Sequence, residues 1–100
     1  MGAFNRLLVE QPCSECGAVV ERAYQFKYGD TWQHDYHIGE MLRWGGNDEG
    51  EQGLAAVAVE CTPEQCTRCG FDEDAEYEIA IEFDVIRGVT GPTTIYRPTP

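Results

Sequence analysis

The chain has 100 residues and a formal charge of −11, from 18 acidic against 7 basic side chains. At this length one domain with a modest hydrophobic core is expected, and a metal staple is a common supplement in small folds. The charge argues against nucleic-acid binding, which needs Lys and Arg to neutralise phosphates. No apolar run approaches the roughly 20 residues of a membrane-spanning helix.

The acidity is uneven. Up to Trp44 there are six acids and four bases, whereas from Gly45 to Ile86 there are twelve acids and Arg68 as the only base. Such a balance suits a partner with a basic surface, or acidity that serves solubility alone. The stretch Met1-Gly2-Ala3-Phe4-Asn5-Arg6 has neither the charged-then-apolar build of a signal peptide nor a myristoylation pattern. A cytoplasmic, reducing compartment is therefore expected. There the five cysteines read as metal ligands rather than as a disulfide framework.

In chain order, Phe4 to Gln11 reads as a strand leading to Pro12-Cys13. From Ala18 to Tyr28, Val20, Tyr24, Phe26 and Tyr28 alternate with Glu21, Gln25 and Lys27, the period of a half-buried strand, with Arg22 interrupting the apolar face. After the turn Gly29-Asp30, Trp32, His34, Tyr36 and Ile38 alternate with Gln33, Asp35 and His37 as a second strand. Met41 to Trp44 starts a third, giving an aromatic-rich meander. Gly45 to Gly53 holds four glycines and no hydrophobe and is expected to be a mobile loop or hairpin tip.

Leu54 to Glu60 reads as a further strand, because Val57 and Val59 outweigh the alanines. Tyr77, Ile79, Ile81, Phe83 and Val85 then alternate cleanly with Glu78, Ala80, Glu82 and Asp84. Short edge strands are expected over Val85 to Val89 and Thr94 to Arg97. The fold class is mainly β: a single antiparallel β domain over residues 1–97, with 98–100 a frayed tail.

Two motifs stand out, Cys13-Ser14-Glu15-Cys16-Gly17 and Cys66-Thr67-Arg68-Cys69-Gly70. Thiolates two residues apart can face one ion if the backbone turns tightly, and the trailing glycine lets the chain leave that turn at positive φ. Two such knuckles supply the four sulfurs that a tetrahedral Zn²⁺ takes in a structural site.

At these residues the chain resembles the zinc-ribbon families, which build a metal site from two C-x-x-C-G turns, each at a β-hairpin. The resemblance covers the two motifs and the β-rich character. It implies that Cys13, Cys16, Cys66 and Cys69 are the ligands and that Gly17 and Gly70 open the turns. The departure is the 49 residues between Cys16 and Cys66, longer than a minimal ribbon uses. Closing that loop costs about 3.4 kcal/mol plus a constant, against roughly 10–16 kcal/mol apparent for structural zinc in small peptides, so the site remains feasible. Paired C-x-x-C-G turns around iron are also the pattern of rubredoxins, which implies an electron carrier as the alternative. The block Lys27 to Asp48 is similar to a set of small bacterial proteins, a likeness that brings no activity with it.

The other constellations are weaker. Cys61 is expected to pack beside Val57 and Val59, as a buried free thiol commonly does. His34 and His37, three apart on an inferred strand, point to opposite faces and do not form a paired metal site. Asn47, Asp48, Glu49 and Glu51 lack the alternating spacing of an EF-hand loop, and the neighbouring glycines lack the G-K-[ST] of a phosphate loop. Ser14, the only serine, lies inside a knuckle with no histidine placed to activate it, so no enzyme is expected. The expected function is a zinc-stabilised protein-interaction module, for instance an inhibitor- or immunity-like factor or an accessory subunit. Asp48, Glu49, Glu51, Asp72, Glu73, Asp74 and Glu76 are its expected contacts with a basic partner surface.

Overall fold

The structure is a computed structural model that describes residues 3–73 and 75–93. Among them there is no helix. Eight strands form: β1 (Asn5–Pro12), β2 (Val19–Phe26), β3 (Gly29–Asp30), β4 (Asp35–Tyr36), β5 (Asp48–Glu49), β6 (Val57–Pro63), β7 (Glu76–Glu82) and β8 (Val85–Thr93). Six make one sheet in the order β4-β1-β2-β6-β7-β8, and β3 pairs with β5 apart from it. The class is mainly β, as the alternating patterns predict.

The sheet is built from two long hairpins. β1 and β2 pair antiparallel from Asn5↔Phe26 to Pro12↔Val19. β6 and β7 pair from Val57↔Ile81 to Cys61↔Tyr77. β2 and β6 also run antiparallel, through Tyr24↔Pro63 and Gln25↔Thr62. Because β1 and β6 run toward their hairpin tips and β2 and β7 run away, both tips lie at the same end of the sheet.

The expected meander is not formed. Of Trp32 to Ile38 only Asp35–Tyr36 joins the sheet, and it pairs parallel to β1 at Arg6 and Leu7. Gln33 adopts φ +59°, which breaks an extended run, and Trp32 is left 69% exposed. The organising residue here is Asn5, fully buried. Its amide nitrogen donates to the carbonyls of Tyr28 and Asp30, both at 3.1 Å, and its Oδ1 accepts from the amides of Trp32 (3.3 Å) and His34 (3.1 Å). A side chain that satisfies four backbone groups replaces the ladder a strand would have provided.

Met41 to Trp44 likewise forms no strand. Met41 makes an isolated antiparallel bridge to Val85. Around it the Gly39 amide donates to the Ile86 carbonyl, the Ile86 amide to Glu40, and the Leu42 amide to Asp84. The segment from β4 to Leu42 therefore runs from the β1 edge to the start of β8, curling the sheet over its core. That core includes Leu7, Tyr24, Phe26, Tyr36, Leu42 and Ile79, with Ile81 and Ile86 fully covered as well. Full burial of such a side chain contributes about 1.5–3 kcal/mol.

The stretch Gly45 to Gly53, expected to be mobile, is latched in place. The Asp48 carboxylate accepts the amides of Gly45 and Gly46, and the Asn47 amide donates to Asp30 at 2.7 Å. Asn47 Nδ2 donates to the carbonyl of the buried Thr31, and the Gly53 amide to Asp84. The hydrogen bonds from His34 and the Asn47 amide hold the Asp30 carboxyl below the usual carboxylate range.

The long alternation at Tyr77 stops at Glu82. Phe83 and Asp84 take φ +48° and +68° and form the two-residue turn into β8, with Phe83 66% exposed. This turn type needs positive φ at both positions, so Phe83 does not continue the apolar face. β8 extends further than expected, to Thr93; Thr94 to Arg97 lie outside the described residues, as does the tail after them.

Gly50 and Gly53 both adopt positive φ, but a Cβ at Gly50 would overlap the ring of Tyr28, whereas one at Gly53 would meet nothing within 4 Å. Both alanine variants carry about 1 kcal/mol of backbone strain. Gly50→Ala is expected to be less stable than Gly53→Ala by about a further 1–3 kcal/mol from overpacking. Equal urea midpoints for the two would contradict the latched loop.

Candidate metal centre

Each hairpin tip carries one C-x-x-C-G motif, and the two tips have the same internal geometry. The Cys13 amide donates to the Ala18 carbonyl and the Gly17 amide to the Cys13 carbonyl, both at 2.9 Å. The Cys66 amide donates to the Phe71 carbonyl and the Gly70 amide to the Cys66 carbonyl, again at 2.9 Å. Gly17 and Gly70 have φ of +72° and +75°, the left-handed exit the motif requires.

The antiparallel β2–β6 seam sets the knuckles face to face. The four Sγ atoms of Cys13, Cys16, Cys66 and Cys69 lie within 4.8 Å of one another. Cys13 and Cys69 are 3.7 Å apart and Cys16 and Cys66 3.9 Å. A tetrahedral ion with metal–sulfur bonds of about 2.3 Å needs sulfur–sulfur edges of about 3.8 Å, so the donor set fits a metal ion. Cys13 and Cys66 are buried, Cys16 and Cys69 exposed. Val20 packs with the two buried cysteines, flanked by Ala18 and Phe71, as a small core separate from the main one.

Backbone dipoles favour a thiolate on the first cysteine of each knuckle, whereas at Cys69 the lowering by the Phe71 backbone is outweighed by desolvation and the neighbouring sulfurs, which push the thiol up to about 12. Amides of Cys16 and Glu15 lower the Cys13 pKa, and those of Cys69 and Arg68 lower that of Cys66 to about 6. The Glu15 and Arg68 amides each donate to the first sulfur of their motif at 3.4 Å. With both knuckle turns satisfied by their own backbone, the sulfurs are left facing one another and the space between them.

Beside the sulfurs lies a second fastening that the sequence pattern alone did not identify. Arg22, which interrupts the apolar face of β2, is buried and pairs with Glu73 at 3.1 Å. It also donates to the Glu64 carbonyl at 3.4 Å, and the Glu73 carboxylate accepts the Tyr77 hydroxyl at 3.0 Å. Burial and the neighbouring Glu73 push the Tyr77 phenol up to about 12. A cation on an otherwise apolar strand face was the available signal, because such a group must find an acid; which acid depended on the fold.

The other candidate residues do not gather at this centre. Cys61 is buried in the main core with Val57 and Val59 packed against it, and burial, with a smaller contribution from Glu78, pushes its thiol up to about 12. His34 lies 3.0 Å from Asp30, whereas His37 contacts Glu21 and Glu40, so the histidines share no ligand site. Among the acids expected to meet a partner, Asp48 caps its own loop and Glu73 pairs with Arg22. Glu49, Glu51 and Asp72 are exposed, Glu76 is half-buried, and Asp74 lies outside the described residues.

Cys66→Ser is expected to abolish stoichiometric metal binding, whereas Cys61→Ser retains it at one ion per chain, measured by mass spectrometry of the purified proteins. Equal metal content in the two variants would contradict the assignment. No family model matches the chain, and comparisons with curated proteins and with solved structures find no match either.

Proposed function

We propose that Cys13, Cys16, Cys66 and Cys69 hold one Zn²⁺ as a closed structural site, and that the β domain so fastened is a non-catalytic protein-interaction module. The observation that carries the reading is the face-to-face packing of four sulfurs within 4.8 Å of one another, with two of the separations at 3.7 and 3.9 Å. Four protein thiolates fill the coordination of a structural zinc and leave no open position for substrate. The ion neutralises thiolates that would otherwise repel one another in a chain already carrying −11. Iron in the same cage would instead make the protein a rubredoxin-like electron carrier. Zinc with no visible absorption supports the module; a red, reducible chromophore overturns it.

The fastened domain presents acids on its surface. Glu49 and Glu51 stand on the latched loop, and Asp72 follows the second knuckle. An acidic surface of this kind steers a basic partner and fixes its orientation. An inhibitor- or immunity-like factor, or an accessory subunit of a larger assembly, fits that behaviour. The combined variant Glu49→Lys, Glu51→Lys and Asp72→Lys is expected to lose the proteins that the wild type retains in a low-salt pull-down, while keeping one zinc per chain. Undiminished recovery would contradict the acidic-surface reading.

A further inference from the structure

The seam between β2 and β6 closes over only a few residues. The Glu64 amide donates to the Ala23 carbonyl at 2.8 Å, and Tyr24↔Pro63 and Gln25↔Thr62 continue the pairing. Antiparallel alternation then fixes the phase. Thr62, Glu60 and Ala58 turn their backbone N–H and C=O groups toward β2, whereas Val57, Val59 and Cys61 turn theirs toward β7. The pairing goes no further because the chain leaves β2 after Phe26, when Tyr28 is drawn to the loop by its hydroxyl bond to the Glu51 carbonyl. Among the described residues, the backbone groups of Ala58 and Glu60 on that edge have no partner.

Where the strands part, a cleft of about 580 Å³ opens, with Phe26, Val59 and Cys61 lining it from the core side and Phe4, Lys27 and Glu60 around them. An unpaired strand edge in a cleft is a template for one more strand.

The charge identifies the occupant. Glu60 and Glu78 are opposite one another across β6 and β7, both exposed, and among the described residues neither is paired with a cation. Like charges directly opposite destabilise a sheet, and an incoming cation relieves that repulsion. Of the two carboxylates, Glu60 lines the cleft, where Lys27 is the only basic lining residue among the described ones. The flanking Ala58 and Ala80 are exposed, so small side chains leave room beside the carboxylates. A second copy of this chain would bring further carboxylates to the same place, and a nucleic acid would bring phosphates.

We propose that this cleft receives an extended segment of a partner protein, added as a strand along β6 opposite Ala58 and Glu60, with Lys or Arg side chains over Glu60 and Glu78. The site rests on the interaction-module reading and adds where the partner binds and in what conformation. Backbone bonds to Ala58 and Glu60 supply the docking, and the carboxylates select a basic segment over an acidic one.

The test is fluorescence polarisation of a labelled heptapeptide of alternating valine and lysine, titrated with the zinc-loaded protein. Binding is expected to weaken by at least about tenfold when alternate peptide nitrogens are methylated, because the charge is kept while the ladder is blocked. Ala58→Pro removes one edge N–H without touching the β6–β7 ladder and is expected to weaken binding about tenfold with metal content unchanged. No binding of the parent peptide, or equal binding of its methylated form, overturns the proposal, and the second outcome needs no folded variant. If the heptapeptide fails while the acid-to-lysine variant still loses its partners in the pull-down, the cleft assignment is wrong and the module stands.

Discussion

Everything in this protein depends on bringing two hairpin tips together so that four sulfurs face one point. The tips belong to strands far apart in sequence, and they meet because β2 and β6 run antiparallel and place both turns at the same end. The direct ladder between those strands covers only two residue pairs. Such a seam is weak alone, and two fastenings beside it compensate. One is the sulfur cluster, and the other is the pairing of the buried Arg22 with the half-buried Glu73, which ties β2 to the segment after the second knuckle. Removing Glu73 would leave the buried Arg22 charge without its acid, so this region tolerates little change.

The long insert between the knuckles acts as a strap rather than as spare length. It leaves β2, is pinned to β1 by the four hydrogen bonds of Asn5, and then binds the start of β8 through Gly39, Glu40 and Leu42. Tyr36 and Leu42 from the strap complete the same core as Ile79, Ile81 and Ile86. The diversion of the chain into this strap is also what opens the cleft between β2 and β6. One feature of the topology thus accounts for both the closed core at one side and the unpaired strand edge at the other.

Legibility from sequence followed how local the cause was. The knuckles were readable because two cysteines, their spacing and a left-handed glycine are all contained in five residues. The long hairpin strands were readable from period two, and Cys61 from its place beside Val57 and Val59. The aromatic runs at Trp32 and Met41 look like strands but are not, because alternation of large side chains does not show where backbone groups are satisfied. Asn5, distant in sequence, satisfies them around Trp32. The Gly45–Gly53 loop looks mobile by composition, yet Asp48 accepts amides within the loop, and Asn47 donates to the Asp30 carboxylate and the Thr31 carbonyl on the strap. Phe83 keeps the hydrophobic alternation while sitting in a turn, a choice of backbone conformation that the pattern does not encode. Arg22 and Glu73 were each visible as charges, but their pairing is a property of the fold.

Hydrogen exchange, compared between zinc-loaded protein and protein stripped by a chelator, tests the central claim most directly. Stripping is predicted to collapse amide protection in both knuckles and along β2 and β6, and one equivalent of zinc is predicted to restore it. Protection unchanged by metal removal would contradict the claim, because the two hairpins would then be held together without the ion.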